Sequence, residues 1–275
     1  KIILRINPDI VIHFAAQSLV LDGYDFPFKT FETNFTGTLN LLDICSEVKN
    51  LKKILITTTD KVYDIRKNKK FQKKDKLWGY DPYSASKVAV EQLIDSYRFL
   101  NNYKKIKKII LVARSGNVIG GGDISKNRII PDIIKSINNN SILYIRNPNS
   151  IRPWQHVIDP LFGYLKLIYL KTNANVDNNW NFSCSDTNTK KVIDIVKIFK
   201  KKFNLKFRVI KNKNKETQIL KLSNKKSLKY LSWKPRVNFN QAINFIISYE
   251  KEIQKNKSPY TICLNQVKDY LMLKN

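Results

Sequence analysis

The chain has 275 residues, 43% of them hydrophobic, enough to bury a sizeable core in one large or two closely packed domains and unlike fibrous or disordered proteins. Its formal charge of +28 points first to a polyanion, but only nine of the 50 basic residues are arginine. The lysines sit among asparagines and isoleucines in runs such as KNKNK at 211–215, the pattern of a solvated surface, so no nucleic-acid partner is expected. No run approaches the roughly 18 to 20 apolar residues of a membrane-spanning helix, and KIILRINPD lacks a signal-peptide core. A cytoplasmic protein with no membrane partner is therefore expected. Cys45, Cys184 and Cys263 lie far apart and outside any C-x-x-C pair, so they are read as small core residues, with no disulfide framework and no metal site.

In chain order, the first β-branched apolar run is DIVIHF at 9–14, followed by KILIT at 53–57 and KIILVA at 108–113. Each suits a strand buried on both faces of a parallel sheet. Between them, Phe31, Phe35, Leu39 and Leu42, then Ala89, Leu93 and Tyr97, recur at helical spacing and read as crossover helices. The expectation is an α/β fold with a doubly wound parallel sheet, Rossmann-like and NAD-binding, over residues 1–120. Residues 121–275, broken by Pro131, Pro148, Pro153 and Pro160, read mainly as a smaller C-terminal substrate domain with some segments returning to the first. Helices are expected near 190–203 and 239–254.

Polar residues follow each strand: His13–Ser18, Thr57–Lys61 and Ser115–Asn117. In open α/β sheets ligands bind outside the carboxyl ends of the strands, so these three segments should face one cleft. No G-x-G-x-x-G loop precedes the first strand, and Gly120–Gly122 lacks that spacing. A dinucleotide's pyrophosphate loop is then expected in an N-terminal portion outside this sequence, which reads as a fragment.

Tyr83 and Lys87 in YSASK stand four apart and share a helix face, where an ammonium near the phenol favours phenolate and makes Tyr83 a usable base. Spacing alone decides nothing, because five Y-x-x-x-K pairs occur, at 63/67, 83/87, 103/107, 230/234 and 270/274. Only 83/87 encloses three small residues and follows a helix-starting Asp81-Pro82. In TTTDKVY at 57–63 a strand ends in hydroxyl, carboxylate and ammonium side chains, suited either to proton transfer or to a capped turn.

Together HFAAQS, TNFTGTLNLLD, TTTDKVY, DPYSASK, ARSGNVIGGGD, IRPWQHV and LSWKP, in this order over residues 9–235, resemble the extended short-chain dehydrogenase/reductase family. Asp60-Lys61, GNVIGGGD and RPWQHV are most similar to its CDP-glucose 4,6-dehydratase subgroup. SLVLDGY at 18–24 and Ile124 depart from that subgroup's pattern. The resemblance implies oxidation of the sugar at carbon 4 by NAD, elimination of water across carbons 5 and 6, and hydride return to carbon 6. Tyr83, assisted by Thr59 and Lys87, would be the base of the first step, Asp60 the proton donor to the departing hydroxyl, and Lys61 would stand where relatives place the carbon 5 base. Ala15, Ala16 and Asn34 match cofactor positions, with Tyr83 and Lys87; Gln17, Asn117, Arg128, Arg152 and His156 match the substrate side. The implied partners are a nucleotide sugar and further copies of the chain, as a dimer or tetramer. Rival readings are an NAD-dependent nucleotide-sugar epimerase, decarboxylase or different dehydratase on the same scaffold, a non-catalytic sugar-nucleotide-binding relative, and a polyanion-binding module.

Overall fold

The computed structural model describes residues 1–64, 70–72, 75–171, 178–210 and 221–273; the KNKNK run and Lys67 lie outside them. The chain forms two compact units, one of residues 1–116, 163–182 and 222–233, the other of 117–162, 183–221 and 234–275.

The first stretch of the first unit carries α1 (Ile2–Ile6), β1 (Ile10–His13), α2 (Val20–Asp25), α3 (Pro27–Phe31), a π turn (Glu32–Thr36), α4 (Gly37–Glu47), β2 (Lys53–Thr59), a 3-10 turn (Asp60–Val62), β3 (Lys70–Phe71), α5 (Pro82–Tyr103) and β4 (Ile109–Ser115). The second unit begins with β5 (Val118–Ile119), α6 (Ile129–Asn138), β6 (Leu143–Ile145), β7 (Ile151–Pro153) and β8 (Gln155–His156). Helix α7 (Ile158–Tyr169) and β9 (Asn179–Phe182) lead back into the first unit. Then come β10 (Thr189–Lys191), α8 (Val192–Phe203) and β11 (Phe207–Val209) in the second, β12 (Lys221–Leu222), α9 (Lys225–Leu231) in the first, and α10 (Phe239–Gln254) and α11 (Pro259–Met272) in the second.

The frame of the first unit is a parallel sheet in the order β1-β2-β4-β9. Ile10 pairs with Lys53, Lys53 with Ile109, and Val112 with Asn179, so every strand runs the same way and all carboxyl ends share one edge. The apolar runs are strands because β-branched residues suit a packed sheet surface, and β2 and β4 are buried on both faces as expected. Strand β1 departs from the expectation, because it ends the strand order and leaves Ile10 and Ile12 exposed. Helices α4 and α5 cover one face, where Leu42, Cys45, Val90 and Ile94 meet Ile54, Ile56, Ile110 and Val112. Cys184 is likewise buried, but Cys263 is exposed on α11, contrary to the reading of all three cysteines as core residues; its position on the outer face of an amphipathic helix explains this.

Two lysines serve the frame rather than the surface. Lys53 Nζ donates to the carbonyls of Ile168 and Leu170 at the end of α7, and Lys108 Nζ to those of Cys45 and Ser46 near the end of α4. Cations there satisfy orphan carbonyls and complement the helix dipole.

The expected stripe Phe31, Phe35, Leu39 and Leu42 is displaced in the structure. The buried face runs through Asn34, Thr38, Leu42 and Cys45, while Phe31 is exposed, because the π turn inserts a wide turn ahead of α4. Likewise α5 buries Tyr83, Lys87, Val90, Glu91 and Ile94, with Ala89, Leu93 and Tyr97 only half-buried beside them.

In the second unit α6, α8 and α10 pack a single core around Ile133, Ile195, Phe199 and Ile246. Gly120–Gly122 belongs to this unit and serves packing: a Cβ on Gly121 would lie 2.2 Å from Tyr249 Cγ, and Gly122 has φ +76° beneath the same ring. Among the described residues no helix is long and apolar enough to cross a membrane.

Gly121→Ala should therefore destabilise the protein by about 1 to 3 kcal/mol, the usual effect of overpacking. Urea unfolding of the full-length protein checks this. An unchanged midpoint would mean that Tyr249 yields freely.

Candidate active site

The carboxyl end of β2 turns directly into the 3-10 turn, and three consecutive side chains meet there. Thr59 Oγ1 donates to Asp60 Oδ1 at 3.0 Å, Lys61 Nζ lies 3.6 Å from the same carboxylate oxygen, and Thr59 Oγ1 accepts from the Lys61 amide at 3.3 Å. The capped turn and the reactive-group cluster are thus one structure. Thr59 and Asp60 are buried.

Helix α5 begins beside this turn because Asp81 and Ser84 form a reciprocal capping box and Pro82 occupies the first turn. The approach is close: Trp78 N donates to Val62 O at 2.8 Å, and a Cβ on Gly79 would fall 2.3 Å from the Ala85 amide nitrogen. Only glycine lets the loop cross the first turn of the helix so tightly. No sequence motif singles out Gly79.

Tyr83 and Lys87 share the buried face of α5, as their spacing predicts. Lys87 Nζ donates to the Thr57 carbonyl at 3.1 Å, which uses one of its three N–H bonds. Burial pulls the ammonium down from 10.5 to about 8, with the Glu91 carboxylate acting in the opposite direction. His13, at the carboxyl end of β1, meets Thr38 Oγ1 at 3.1 Å and is pulled down by burial and by the Lys87 charge. Of the three segments expected to face one cleft, the strand ends lie along one edge of the parallel sheet, His13 pairing with Ile56 and Ser115 with Thr59, while Asn117 belongs to the second unit.

The loop after β1 exposes Ala15 and half-buries Ala16. Asn34 holds it in place: Oδ1 accepts from Gln17 N at 2.8 Å, and Nδ2 donates to Gln17 O and to Ser86 Oγ at 3.0 and 2.9 Å. The Gln17 carboxamide is also engaged within the protein, donating to Leu19 O and Thr30 Oγ1 and accepting from Leu19 N. Both side chains are therefore spent on the shape of the loop. Asn34 reaches across 52 residues to Ser86 on α5, a contact that sequence spacing does not reveal.

Asn117, Arg128, Arg152 and His156 lie in the second unit. Asn117 is half-buried before β5; Arg128 Nη1 is 3.5 Å from Asp123 Oδ2; Arg152 Nη1 donates to Ile151 O at 2.9 Å. His156 is buried against Phe245, its Nδ1 accepts from Ile158 N at 3.4 Å, and burial pulls it down to about 4, so it is neutral at pH 7. A separate open hollow of about 420 Å³ lies at the opposite end of the sheet, among Asp9, Lys52 and Lys108, which precede the strands; Lys52 there pairs with Asp9 and Lys108 with the carbonyls ending α4, so no reactive groups converge on it.

Two further residues stand behind the site. Glu91 and Arg114 form a buried ion pair between α5 and β4. Their signal in the sequence is Arg114 itself, a charge at the end of an apolar strand run that requires a partner once buried.

A sequence pattern shared by a family described as GDP-mannose 4,6 dehydratase matches residues 1–245. The CDP-glucose 4,6-dehydratase of Salmonella typhimurium strain LT2 is 36% identical over 280 residues, covering 98% of this chain and 78% of that protein. The human dTDP-D-glucose 4,6-dehydratase is 25% identical, covering 89% and 69%. Among solved structures, UDP-glucuronic acid 4-epimerase from Bacillus cereus, with UDP-glucuronic acid and NAD, matches at TM-score 0.79 and 21% identity over 91% of this chain and 77% of that one. The dTDP-glucose 4,6-dehydratase of Bacillus anthracis, with NAD, matches at 0.75 and 19% over 93% and 76%. At these identities the structural matches show the shared α/β fold.

The burial of Lys87 has a pH signature. Below pH 8 both folded and unfolded chains hold its proton, so the whole cost of burying the charge is present; between about 8 and 10.5 the unfolded chain binds more protons and this cost disappears as pH rises. Lys87→Met should therefore compare best with the wild type below pH 8, and its relative stability should fall steadily to pH 10.5. Urea midpoints of both full-length proteins at pH 7 and pH 10 provide the check, and a gap moving the other way would mean the ammonium is stabilised by burial.

Proposed function

Because the chain belongs to the GDP-mannose 4,6-dehydratase family, we propose that it is an NAD-dependent nucleotide-sugar 4,6-dehydratase, a hydro-lyase whose substrate is CDP-glucose. The observation that carries this reading is the Thr59–Asp60–Lys61 turn, a hydroxyl, a carboxylate and an ammonium within one 3-10 turn beside the face of α5 that bears Tyr83 and Lys87.

The fit to a dinucleotide rests on the same edge of the sheet. Lys87 keeps two N–H bonds beyond the one given to Thr57, suited to ribose hydroxyls, and the small side chains of Ala15 and Ala16 allow close approach to the loop that Asn34 holds. Held by Lys87 and by the loop at Ala15 and Ala16, NAD would supply the hydride chemistry, acceptance from carbon 4 of the sugar and return to carbon 6.

The chain's own residues move the protons. Tyr83 takes the proton of the carbon 4 hydroxyl, with the Thr59 hydroxyl and the Lys87 charge stabilising the anion that develops. The carbon 4 ketone then acidifies the proton on carbon 5. Lys61, in its neutral form, removes that proton while Asp60, in its carboxylic acid form, protonates the carbon 6 hydroxyl, which leaves as water. With hydride returned to carbon 6, the Lys61 ammonium gives a proton back to carbon 5, and the proton taken by Tyr83 restores the Asp60 acid. Lys61 Nζ lies 3.6 Å from Asp60 Oδ1, which suits a base and an acid acting on adjacent carbons of the sugar. Arg128 and Arg152 suit a diphosphate through paired, charge-assisted hydrogen bonds.

The direct test is product analysis with full-length enzyme, NAD and a panel of CDP-, dTDP-, UDP- and GDP-sugars. CDP-glucose should lose one water; a product of unchanged mass inverted at carbon 4 would overturn the reading in favour of an epimerase. Within the cycle, Tyr83→Phe should lower turnover by about 10² to 10⁴-fold without building up reduced nicotinamide absorbance. Asp60→Asn should form that absorbance in a single turnover and then stall with a 4-keto-glucose nucleotide in the quenched sample. If Asp60→Asn bound both ligands yet showed no reduction, Asp60 would belong to the oxidation step.

A further inference from the structure

Helix α5 presents three residues at intervals of four toward the end of β2: Tyr83, Lys87 and Glu91. The third has no part in the chemistry above, yet it is the most completely bound group near the site. Glu91 is 2% exposed and Arg114 1%. Arg114 Nε donates to Glu91 Oε1 and Oε2 at 2.8 and 3.1 Å, and Nη2 closes a second contact on Oε2. Thr58 Oγ1 donates to Glu91 Oε1 at 2.6 Å. From Arg114, Nη1 donates to Tyr63 OH at 2.6 Å, and Tyr63 OH donates to Asn181 Oδ1 at 2.9 Å. One carboxylate thus ties α5 to β2, β4, the residue after the 3-10 turn and β9.

The position of Thr58 gives the clamp its meaning. It lies between Thr57, whose carbonyl receives Lys87 Nζ, and Thr59, whose hydroxyl faces Asp60. Among charged groups, Glu91 acts on Lys87 from the same helix, Lys87 acts on His13 of β1, and Arg114 holds Glu91 from β4. A buried ion pair is weak evidence of a stability role, because an apolar pair of similar volume often serves as well. A fixed negative charge one turn from a buried catalytic ammonium is a more specific use.

We propose that Glu91, held by Arg114, is a positioning residue for the dehydration assigned above: it fixes the end of β2 through Thr58 and sets a fixed negative charge one helical turn from Lys87, on the face of α5 that also bears Tyr83. The inference rests on that assignment, but its first test does not.

In full-length protein with ¹³C-labelled lysine side chains, the signal lost in Lys87→Met is Lys87. In Glu91→Gln its midpoint should move to lower pH by about one unit or more, since removing the anion leaves desolvation unopposed. With NAD and CDP-glucose, Glu91→Gln should lower kcat at least tenfold, leave KM within about twofold, and move the alkaline limb of the kcat profile down with the Lys87 midpoint. Thr58→Val should lower kcat severalfold while the Lys87 midpoint stays in place. If Glu91→Gln fails to fold because Arg114 is left unpaired, Glu91→Gln/Arg114→Gln removes both charges and carries the same expectation for Lys87. An unmoved midpoint in whichever variant folds overturns the proposal, as does an unchanged pH profile in an active variant. Should wild-type enzyme fail to dehydrate CDP-glucose, the assignment of function falls, and the Lys87 midpoint still decides whether Glu91 sets its charge.

Discussion

The contact between the first three turns of α5 and the last three residues of β2 is made by polar side chains, within a sheet face otherwise filled by isoleucine, leucine and valine. Lys87 meets the Thr57 carbonyl, Glu91 meets the Thr58 hydroxyl, and the 3-10 turn after Thr59 is held to the loop entering the helix by Trp78. Hydrogen bonds of this kind are directional where apolar packing is tolerant of small shifts. They fix the rotation of α5 about its axis, and with it the side of the helix from which Tyr83 projects.

The same arrangement sets an electrostatic problem that the rest of the unit answers. A chain of formal charge +28 repels an additional buried cation, and dehydration around Lys87 already disfavours its charged form. The frame holds its other structural lysines, Lys53 and Lys108, against helix carbonyls, where partial negative charge is already present. Lys87 has one carbonyl and lies one turn from a full carboxylate. The division between lysines that coat the surface and lysines that have partners is therefore physical, although both come from the same composition.

Legibility in the sequence depends on how local the cause of each feature is. The strands β2 and β4 are readable because KILIT and KIILVA need both faces buried wherever they fold, and the helix at 239–254 because its stripe is continuous. DIVIHF also forms a strand, but at the end of the sheet with Ile10 and Ile12 exposed, which its composition does not reveal. The shared face of Tyr83 and Lys87 and the capped 57–61 turn are readable because each is set within a few residues or one helical turn, whereas the Thr57 carbonyl that receives Lys87 lies 30 residues away. Asn34 with Gln17 and Ser86, Glu91 with Arg114, and Gly79 under Ala85 are not, since each is defined by a neighbour brought in by the sheet's crossovers. The apolar stripe misleads on α5 for the same reason: its fully buried line carries a lysine and a glutamate, which any hydrophobic pattern assigns to solvent.

The π turn at Glu32–Thr36 places Asn34 against the loop after β1 and still brings Leu42 and Cys45 into the core. Each residue of a helix subtends about 100°, so a wide turn is an angular offset between the residues on its two sides. Regularising the turn by deleting one residue would rotate α4 against the Asn34 loop by about that angle, and one of the two would lose its neighbours. The wide turn thus belongs to a segment that serves the loop after β1 through Asn34 and the hydrophobic core through Leu42 and Cys45.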